Sequence, residues 1–168
     1  MTNKYTMGGK PITVREKKLK IGERAPSFQL IGNEFNLLTN DLFYGKVIIL
    51  SCVPSVDTPV CSMETRHFNE AVAKMSKDIR IITVSKDLPF AQSRWCAANG
   101  IDNVIMASDY RNLGFAADYG VLIEELGLLA RAVFVLNKEG KLAYIQRVSE
   151  MAQEPNYAPI LEMAEKLA

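Results

Sequence analysis

The sequence predicts an α/β protein built as a three-layer sandwich with a mixed central sheet. Apolar, β-branched runs alternate with amphipathic segments between residues 46 and 119, which is typical of parallel crossover units. Two further apolar runs flank a turn at 137–140, so we expect an antiparallel strand pair after the parallel units. The 168 residues, 48% of them hydrophobic, are enough to bury a core, and no linker or repeat divides them. We therefore expect one domain over residues 1–168.

The first elements follow from the positions of glycine, proline and β-branched residues. Gly8, Gly9 and Pro11 lie between short apolar segments and predict a β-hairpin ahead of the main fold. Residues 46–53 are a compact β-branched run, which predicts a buried strand. The apolar residues of 60–75 recur at helical spacing, so we expect a helix after that strand.

The later elements are short apolar runs or amphipathic segments that end at turn residues. Asn99 and Gly100 are a suitable C-terminal stop for one helix, and Gly120 closes the next. The predicted elements are strands at 79–84, 104–106, 132–136 and 141–145, and helices at 89–98, 111–119 and 156–167.

The charge balance and the N-terminal segment exclude several classes of function. With 20 basic and 19 acidic residues the formal net charge is +1, which disfavours nucleic-acid binding by bulk electrostatics. The longest apolar stretches, such as 47–53, are far shorter than the roughly 20 residues that cross a bilayer. Residues 1–18 contain no apolar segment of the signal-peptide type. We therefore expect a cytoplasmic protein with no nucleic-acid and no membrane partner.

Three cysteines, Cys52, Cys61 and Cys96, are the main candidates for chemistry. Their odd number and the lack of a C-x-x-C pair make a poor framework for structural disulfides. Cys52 lies inside an apolar strand and is expected to be buried packing, because free cysteine mostly behaves as a small hydrophobic residue. Cys96 lies on the helix predicted at 89–98, where the local sequence leaves its role open.

Cys61 lies where a helix N-terminus would activate it. Thr58 is a preferred N-cap residue and Pro59 suits the first helical position, which places Cys61 in the first turn. The free N–H groups and the helix dipole favour an anion there, so the thiol is expected to ionise below the free value of about 8.5. Pro54 and Pro59 stiffen the loop over the sulfur. These features favour a reactive thiol over an ordinary half-buried cysteine.

Two nearby carboxylates and one histidine bear on this interpretation. Asp57 and Glu64 would oppose ionisation of Cys61 if they pointed inward, so we expect them to face solvent or an arginine. A cysteine hydrolase would need His67 as its base, but six residues along a helix rotate a side chain by about 240° away from Cys61. We expect His67 on the helix surface.

A zinc site made of three cysteines and one histidine is a further alternative. Structural zinc sites take two ligands from one short segment, whereas consecutive cysteines here are 9 and 35 residues apart. The spacing argues against such a site, and we expect neither a metal nor a cofactor.

Three sequence motifs occur in a specific order. Residues 54–61, PSVDTPVC, contain P-x-x-x-T-x-x-C, residues 87–96 are DLPFAQSRWC, and residues 130–135 are ARAVFV. Together they resemble the bacterial thiol peroxidases, which are atypical two-cysteine peroxiredoxins, and the resemblance covers nearly the whole chain. Trp95 departs from the family pattern, in which phenylalanine is common, but it leaves the neighbouring thiol in register.

The resemblance implies a thioredoxin-like fold and a thioredoxin-dependent peroxidase. It implies that Cys61 is the peroxidatic thiolate and Cys96 the resolving thiol of the same subunit, and that the two form a transient disulfide. It also implies that Thr58 hydrogen-bonds the sulfur and the peroxide, Pro54 screens the sulfenate, and Arg131 holds positive charge beside the thiolate. Thioredoxin as the reductant and a homodimer are expected from the family.

The resemblance also suggests a substrate and a conformational change. Alkyl hydroperoxides are expected to be preferred over hydrogen peroxide, because the apolar segment 121–129 is expected to line the pocket. A disulfide needs Cα atoms within about 7 Å, so we expect local unwinding at one or both helix ends during turnover. Cys52 is expected to be a spare thiol that forms wrong disulfides under oxidation. The alternative function is a redox-sensing module of the same fold, whose disulfide changes a partner surface.

Overall fold

The computed structural model describes residues 4–168, and strands and helices alternate along them. The strands are Tyr5–Met7 (β1), Lys10–Ile12 (β2), Val14–Arg15 (β3), Gln29–Ile31 (β4), Leu37–Thr39 (β5), Val47–Cys52 (β6), Ile79–Ser85 (β7), Val104–Ser108 (β8), Leu122–Ile123 (β9), Leu128–Leu129 (β10), Ala132–Leu136 (β11) and Leu142–Arg147 (β12). The α-helices are Pro59–Val72 (α1), Pro89–Asn99 (α2), Phe115–Tyr119 (α3) and Tyr157–Leu167 (α4), and a 3-10 turn spans Asn40–Phe43.

A seven-stranded mixed sheet forms the centre of the fold, with its strands in the order β12-β11-β6-β7-β8-β4-β5. β6, β7 and β8 are parallel neighbours, whereas β11 pairs antiparallel with both β6 and β12. Because the carboxyl ends of parallel strands meet at one edge of a sheet, the loops that lead into α1 and α2 begin side by side.

Helices cover both faces of this sheet. One face packs under α1, α2 and α4, in an apolar cluster that includes Ile49, Ile81 and Phe68. The other face packs under α3 and the hairpin β1–β2, in a cluster that includes Leu50 and Phe115. The alternation along β6 sends successive side chains to opposite clusters, as the period of a strand requires. The predicted three-layer α/β sandwich with a mixed sheet is confirmed.

The predicted N-terminal hairpin is also confirmed. β1 and β2 pair antiparallel, with Tyr5 opposite Ile12. Gly8 and Gly9 form the turn with φ angles of 59° and 81°, which a tight hairpin turn requires and which glycine adopts without steric cost. Tyr5 and Ile12 are buried in the core, so the hairpin is packed against the main fold. No helix within residues 4–168 has the length and apolar character needed to cross a membrane.

Several boundaries differ from the sequence predictions. The helix expected at 111–119 is shorter, because Asn112 and Gly114 have φ angles of 55° and 102°, which a right-handed helix cannot contain. α1 ends at Val72, three residues before the expected end. β4, β5 and the small sheet β10-β9-β3 were not predicted, because strands of two or three residues are too short to show a period.

Candidate active site

The first turn of α1 holds Cys61 at the sheet edge where β6 ends. Thr58 is the N-cap residue, and its hydroxyl oxygen accepts a hydrogen bond from the Cys61 N–H at 3.3 Å. The same hydroxyl donates to the Ser55 carbonyl oxygen at 3.1 Å. The helix begins here because Thr58 satisfies one free N–H group and Pro59 has none to satisfy. The Cys61 side chain is 0% exposed.

Arg131 brings a positive charge to the Cys61 sulfur. It precedes β11, and the pairing of Ala132 with Cys52 carries it to the end of β6, beside α1. Arg131 Nη2 donates to Cys61 Sγ at 3.2 Å, and the arginine is only 1% exposed. A guanidinium in a site that excludes water stabilises the thiolate, which is the reactive form of cysteine.

Glu64 shares the charge of Arg131 from the same face of α1, one turn after Cys61. Arg131 Nη1 donates to Glu64 Oε2 at 2.6 Å, and Ser51 Oγ donates to Glu64 Oε1 at 2.8 Å. Burial raises the pKa of Glu64, and the Arg131 charge and the Ser51 hydroxyl oppose that rise. The prediction that Glu64 faces an arginine is confirmed, and Asp57 is exposed to solvent, as predicted.

The pKa of Arg131 reflects the same balance. Burial acts to lower this pKa, but the charges of Cys61 and Glu64 outweigh burial and raise it. The guanidinium therefore stays charged although it lies inside the protein. With Cys61 as a thiolate, two anions flank this one cation.

A loop after β12 holds the remaining side of Arg131. The Met151 carbonyl oxygen accepts hydrogen bonds from Arg131 Nε at 3.2 Å and from Nη2 at 2.7 Å. The Arg131 backbone N–H donates to Met151 Sδ at 3.2 Å. Because a guanidinium is planar, contacts to Cys61, Glu64 and Met151 together fix the direction in which Nη2 points.

A small, largely apolar pocket of about 130 Å³ lies beside Thr58 and Arg131. Its walls are Met7, Pro54, Thr58, Pro59, Val60, Arg131, Met151 and Ala152. Two of these walls contact Cys61, Thr58 at its backbone N–H and Arg131 at its sulfur, so the pocket lies beside Cys61. Pro54 is a buried residue of this wall.

The expectation that residues 121–129 line the pocket is wrong. They form the hairpin β9–β10, and Val121, Ile123 and Leu129 are each 0% exposed in the core. Their apolar character therefore serves packing against the sheet, whereas Leu126 at the turn is exposed.

Cys96 lies in a different setting, near the C-terminal end of α2. It is half-buried and packs against the apolar cluster under α1, α2 and α4. Burial raises the pKa of the Cys96 thiol to about 11. Gly100 ends the helix in a left-handed conformation, and its N–H donates to the Cys96 carbonyl oxygen. Cys52, Cys61 and Cys96 are all free thiols.

Cys52 is buried on the opposite face of the sheet, which confirms the prediction that it is buried packing. It belongs to the cluster that contains Leu50 and Phe134, whereas Cys96 packs on the other side. Burial raises the pKa of Cys52.

His67 lies on the exposed side of α1, as predicted. Its ring stacks on Tyr157 of α4, with the ring centroids 3.7 Å apart. This contact joins two helices and gives His67 a packing role. Among residues 4–168, no three side chains of histidine, cysteine, aspartate or glutamate form a group that could hold a metal ion.

Comparison with known proteins identifies the family. Residues 20–161 match the family model described as Redoxin. The chain is 46% identical to the thiol peroxidase of Bacillus subtilis, with 96% of each chain covered. It is 47% identical to the thiol peroxidase of Staphylococcus saprophyticus, with 94% of each chain covered. The chain belongs to the thiol peroxidases of the Redoxin family.

A solved structure agrees with this assignment. The peroxiredoxin-like protein from Aquifex aeolicus superposes with a TM-score of 0.90 at 41% identity, covering 98% of this chain and 96% of that one. This thiol peroxidase thus has the thioredoxin-like peroxiredoxin fold that its motifs predict, and its activity is a thiol-dependent peroxidase reaction.

Three residues around the site were not predicted from the sequence. Ser51 carries a weak signal, because it is a polar residue inside an otherwise apolar strand. Met7 and Met151 carry none, since each lies in a hairpin or loop whose position depends on distant contacts. Met151 contacts Arg131, which lies 20 positions earlier in the chain.

Proposed function

We propose that this thiol peroxidase reduces hydroperoxides with Cys61 as the peroxidatic thiolate and Cys96 as the resolving thiol. The contact of 3.2 Å between Cys61 Sγ and Nη2 of Arg131, a wall residue of the pocket, carries this proposal. A buried cysteine that serves only packing gains nothing from a buried cation beside it. Thr58 and Pro54 complete the proposed site.

In the first step the Cys61 thiolate attacks one oxygen of the hydroperoxide and the O–O bond breaks. The sulfur is oxidised to a sulfenic acid, and the other oxygen takes up a proton and leaves as an alcohol, or as water from hydrogen peroxide. Arg131 stabilises both the thiolate and the negative charge that develops on the leaving oxygen. The Thr58 hydroxyl, which lines the pocket, orients the peroxide.

In the second step the Cys96 thiol attacks the sulfenic sulfur of Cys61. An S–S bond forms within one chain, and the sulfenic oxygen leaves as water with the thiol proton. We propose that the last turn of α2, which ends at Gly100, and the first turn of α1 unwind to bring the two sulfurs together.

Thioredoxin is the proposed reductant. Its dithiol would reduce the disulfide through a mixed disulfide, which returns both cysteines to the thiol state and leaves thioredoxin oxidised. We propose that the protein is cytoplasmic, because a disulfide that is reduced in every cycle requires a reducing compartment. We also propose that it is a homodimer in which each subunit is a single domain.

The pocket supports a preference for alkyl hydroperoxides. Met7, Pro54, Val60 and Met151 are apolar walls that would bury an alkyl or aryl group. The kcat/KM for cumene hydroperoxide is expected to exceed that for hydrogen peroxide, measured in a coupled assay with thioredoxin. A higher value for hydrogen peroxide would contradict this preference.

Mass spectrometry of the peroxide-treated protein tests the cysteine assignments. We expect a Cys61–Cys96 disulfide within one chain. Cys61→Ser should abolish peroxide consumption, whereas Cys96→Ser should allow one turnover and then stop with Cys61 as a sulfenic acid. Cys52→Ala is the matched control and should keep both the disulfide and the activity. Full steady-state activity of Cys61→Ser would contradict the mechanism.

The oligomeric state is tested separately. Sedimentation equilibrium is expected to give twice the chain mass of 18.7 kDa. A single 18.7 kDa species at micromolar concentration would contradict the homodimer without affecting the cysteine assignments.

A further inference from the structure

The carboxylate of Glu150 links the N-terminal hairpin β1–β2 to the loop that follows β12. Glu150 Oε1 accepts hydrogen bonds from the Gly9 N–H at 2.8 Å and from the Thr6 hydroxyl at 3.0 Å. Glu150 Oε2 accepts from the Gly8 N–H at 3.1 Å and from the Ala152 N–H at 2.6 Å. Glu150, which lies in the loop that follows β12, therefore bonds the hairpin through both oxygens and its own loop through Oε2.

The backbone continues the same junction. The Thr6 N–H donates to the Ser149 carbonyl oxygen at 2.8 Å, and the Met151 N–H donates to the Thr6 carbonyl oxygen at 2.9 Å. The pKa of Glu150 is lowered to about 2, mainly by the hydrogen bonds that its carboxylate accepts from the backbone N–H groups of Ala152 and Gly9. The carboxylate therefore stays ionised at neutral pH.

Both segments that Glu150 joins belong to the active site. The loop supplies the Met151 carbonyl oxygen that holds Arg131 Nε and Nη2. The hairpin supplies Met7, which lines the pocket together with Met151 and Ala152. Glu150 touches neither Cys61 nor the pocket, so it would act only through these neighbours.

We propose that Glu150 is a positioning residue for peroxide reduction, which fixes the hairpin wall of the pocket and the Met151 carbonyl oxygen that aims Arg131 at Cys61. This inference rests on the assignment of Cys61 and Arg131 made above. The hairpin is then part of the substrate site, and the fit of the organic group of a hydroperoxide depends on it. A displacement of about 1 Å in a positioning contact costs as much as about a hundredfold in rate.

Two substrates of different size distinguish an effect on the pocket wall from an effect on the direction of Arg131. Cumene hydroperoxide needs both the apolar wall and the aimed guanidinium, whereas hydrogen peroxide needs only the guanidinium. Glu150→Gln is expected to lower kcat/KM for cumene hydroperoxide by about tenfold and that for hydrogen peroxide by less. Glutamine offers one acceptor oxygen and turns an NH2 group toward N–H donors, so it should not replace the carboxylate.

A merely structural role would give a different result. Loss of folded protein lowers both kcat/KM values by the same factor. The ratio of kcat/KM for cumene hydroperoxide to that for hydrogen peroxide then stays at the wild-type value. The matched control is Glu139→Gln, an exposed glutamate in the turn between β11 and β12, which should leave the ratio unchanged. Met7→Ala removes the wall but touches no Arg131 contact, so it should lower the ratio with a smaller loss of hydrogen peroxide activity than Glu150→Gln causes.

Thr6→Val keeps the test decisive if Glu150→Gln does not fold. It removes one donor to Glu150 while keeping the shape and the strand preference of the side chain. A smaller fall in the ratio, in the same direction, is expected. A wild-type ratio in a folded Glu150→Gln or in Thr6→Val would overturn the proposal, even if Cys61→Ser is inactive as the proposed function requires.

Discussion

Cys61 and Cys96 carry the same thiol group in opposite surroundings. Cys61 is completely buried at the start of a helix, with a guanidinium 3.2 Å from its sulfur. Cys96 is half-buried near the end of a helix, and burial alone accounts for the rise of its pKa to about 11. Cys61 thus contacts a buried cation, whereas Cys96 packs against apolar side chains.

The difference matches the two chemical tasks proposed for these cysteines. A thiol that attacks a peroxide must already be an anion, because the thiolate is the nucleophile. A resolving thiol that stayed ionised would itself be open to oxidation, whereas a protonated, half-buried thiol is protected until the helix end opens. The proposed pairing of a peroxidatic thiol with a protonated resolving thiol thus agrees with two different local environments.

The largest expected effect concerns the pH dependence of Cys96. Its pKa of about 11 predicts that alkylation of Cys96 by iodoacetamide rises about tenfold per pH unit, or about a thousandfold from pH 7 to pH 10. The rate is measured in Cys61→Ser by quantifying the Cys96 peptide by mass spectrometry. A plateau near pH 8.5 would mean that Cys96 is not protected in the folded protein.

The same profile also tests unwinding of α2. If Cys96 becomes exposed before it attacks, the rate of disulfide formation should have its midpoint near the free thiol value of about 8.5, below the midpoint for alkylation. Stopped-flow measurement of sulfenic acid decay in the wild-type protein gives this second midpoint. Equal midpoints would argue that Cys96 attacks from its folded position.

A smaller effect, about a hundredfold, is expected from Arg131→Lys. Lysine keeps the charge but cannot contact Cys61, Glu64 and Met151 at once. The kcat/KM for peroxide should therefore fall about as much as when one hydrogen-bond donor to the transition state is lost. Arg147→Lys, on the neighbouring strand β12, is the control because Arg147 bonds only carbonyl oxygens outside the site. A loss of similar size in both variants would remove the special role of Arg131.

A still smaller effect is expected where the two cysteine regions meet, at Asp87. Its carboxylate accepts from Ser55 Oγ at 2.8 Å and the Val56 N–H at 2.9 Å, in the loop before Cys61, and from Ser85 Oγ at 2.6 Å, before α2. Asp87→Asn leaves one acceptor oxygen and should cost the folded loop about 1 kcal/mol, which is about fivefold in local opening.

Easier opening of this loop should favour disulfide formation over further oxidation. The peroxide concentration that converts half of Cys61 to sulfinic acid is expected to rise about fivefold in Asp87→Asn. Asp78→Asn, at the other end of β7, is the control, because Asp78 pairs with two partly exposed lysines far from the site, Lys46 and Lys138. An unchanged peroxide concentration in Asp87→Asn would show that Asp87 does not restrain the loop.

The smallest effect is expected from Trp95→Phe, next to Cys96. Trp95 packs against the cluster under α2, so the smaller ring should lower the free energy of unfolding by about 1 kcal/mol, measured by urea denaturation. The rate of disulfide formation should change by less than about twofold. A large decrease in that rate would show that the indole ring positions Cys96.

Most of the fold was predictable from the sequence, because long apolar periods and turn residues are local signals. The N-cap Thr58 and the first-turn position of Cys61 were predictable for the same reason. Arg131 was identified through a family motif rather than by local pattern. The hydrogen bonds of Glu150 to the hairpin and the place of Met7 in the pocket wall were not predictable. Both depend on how a hairpin near residue 8 meets a loop near residue 150.

The failure at residues 121–129 has the same cause. Apolar side chains line pockets and cores alike, so their presence does not say which of the two they form. Short strands fix this segment into a core hairpin, and strands of two residues leave no period in the sequence.

The buried pair of Glu64 and Arg131 has a consequence for protein engineering. Apolar residues of similar volume in place of a buried ion pair often make a protein more stable, whereas removal of one partner alone is strongly destabilising. A library selected only for heat resistance should therefore lose both charges together, and one selected for peroxide reduction should keep both. Covariation between positions 64 and 131 would then separate the two kinds of selection pressure.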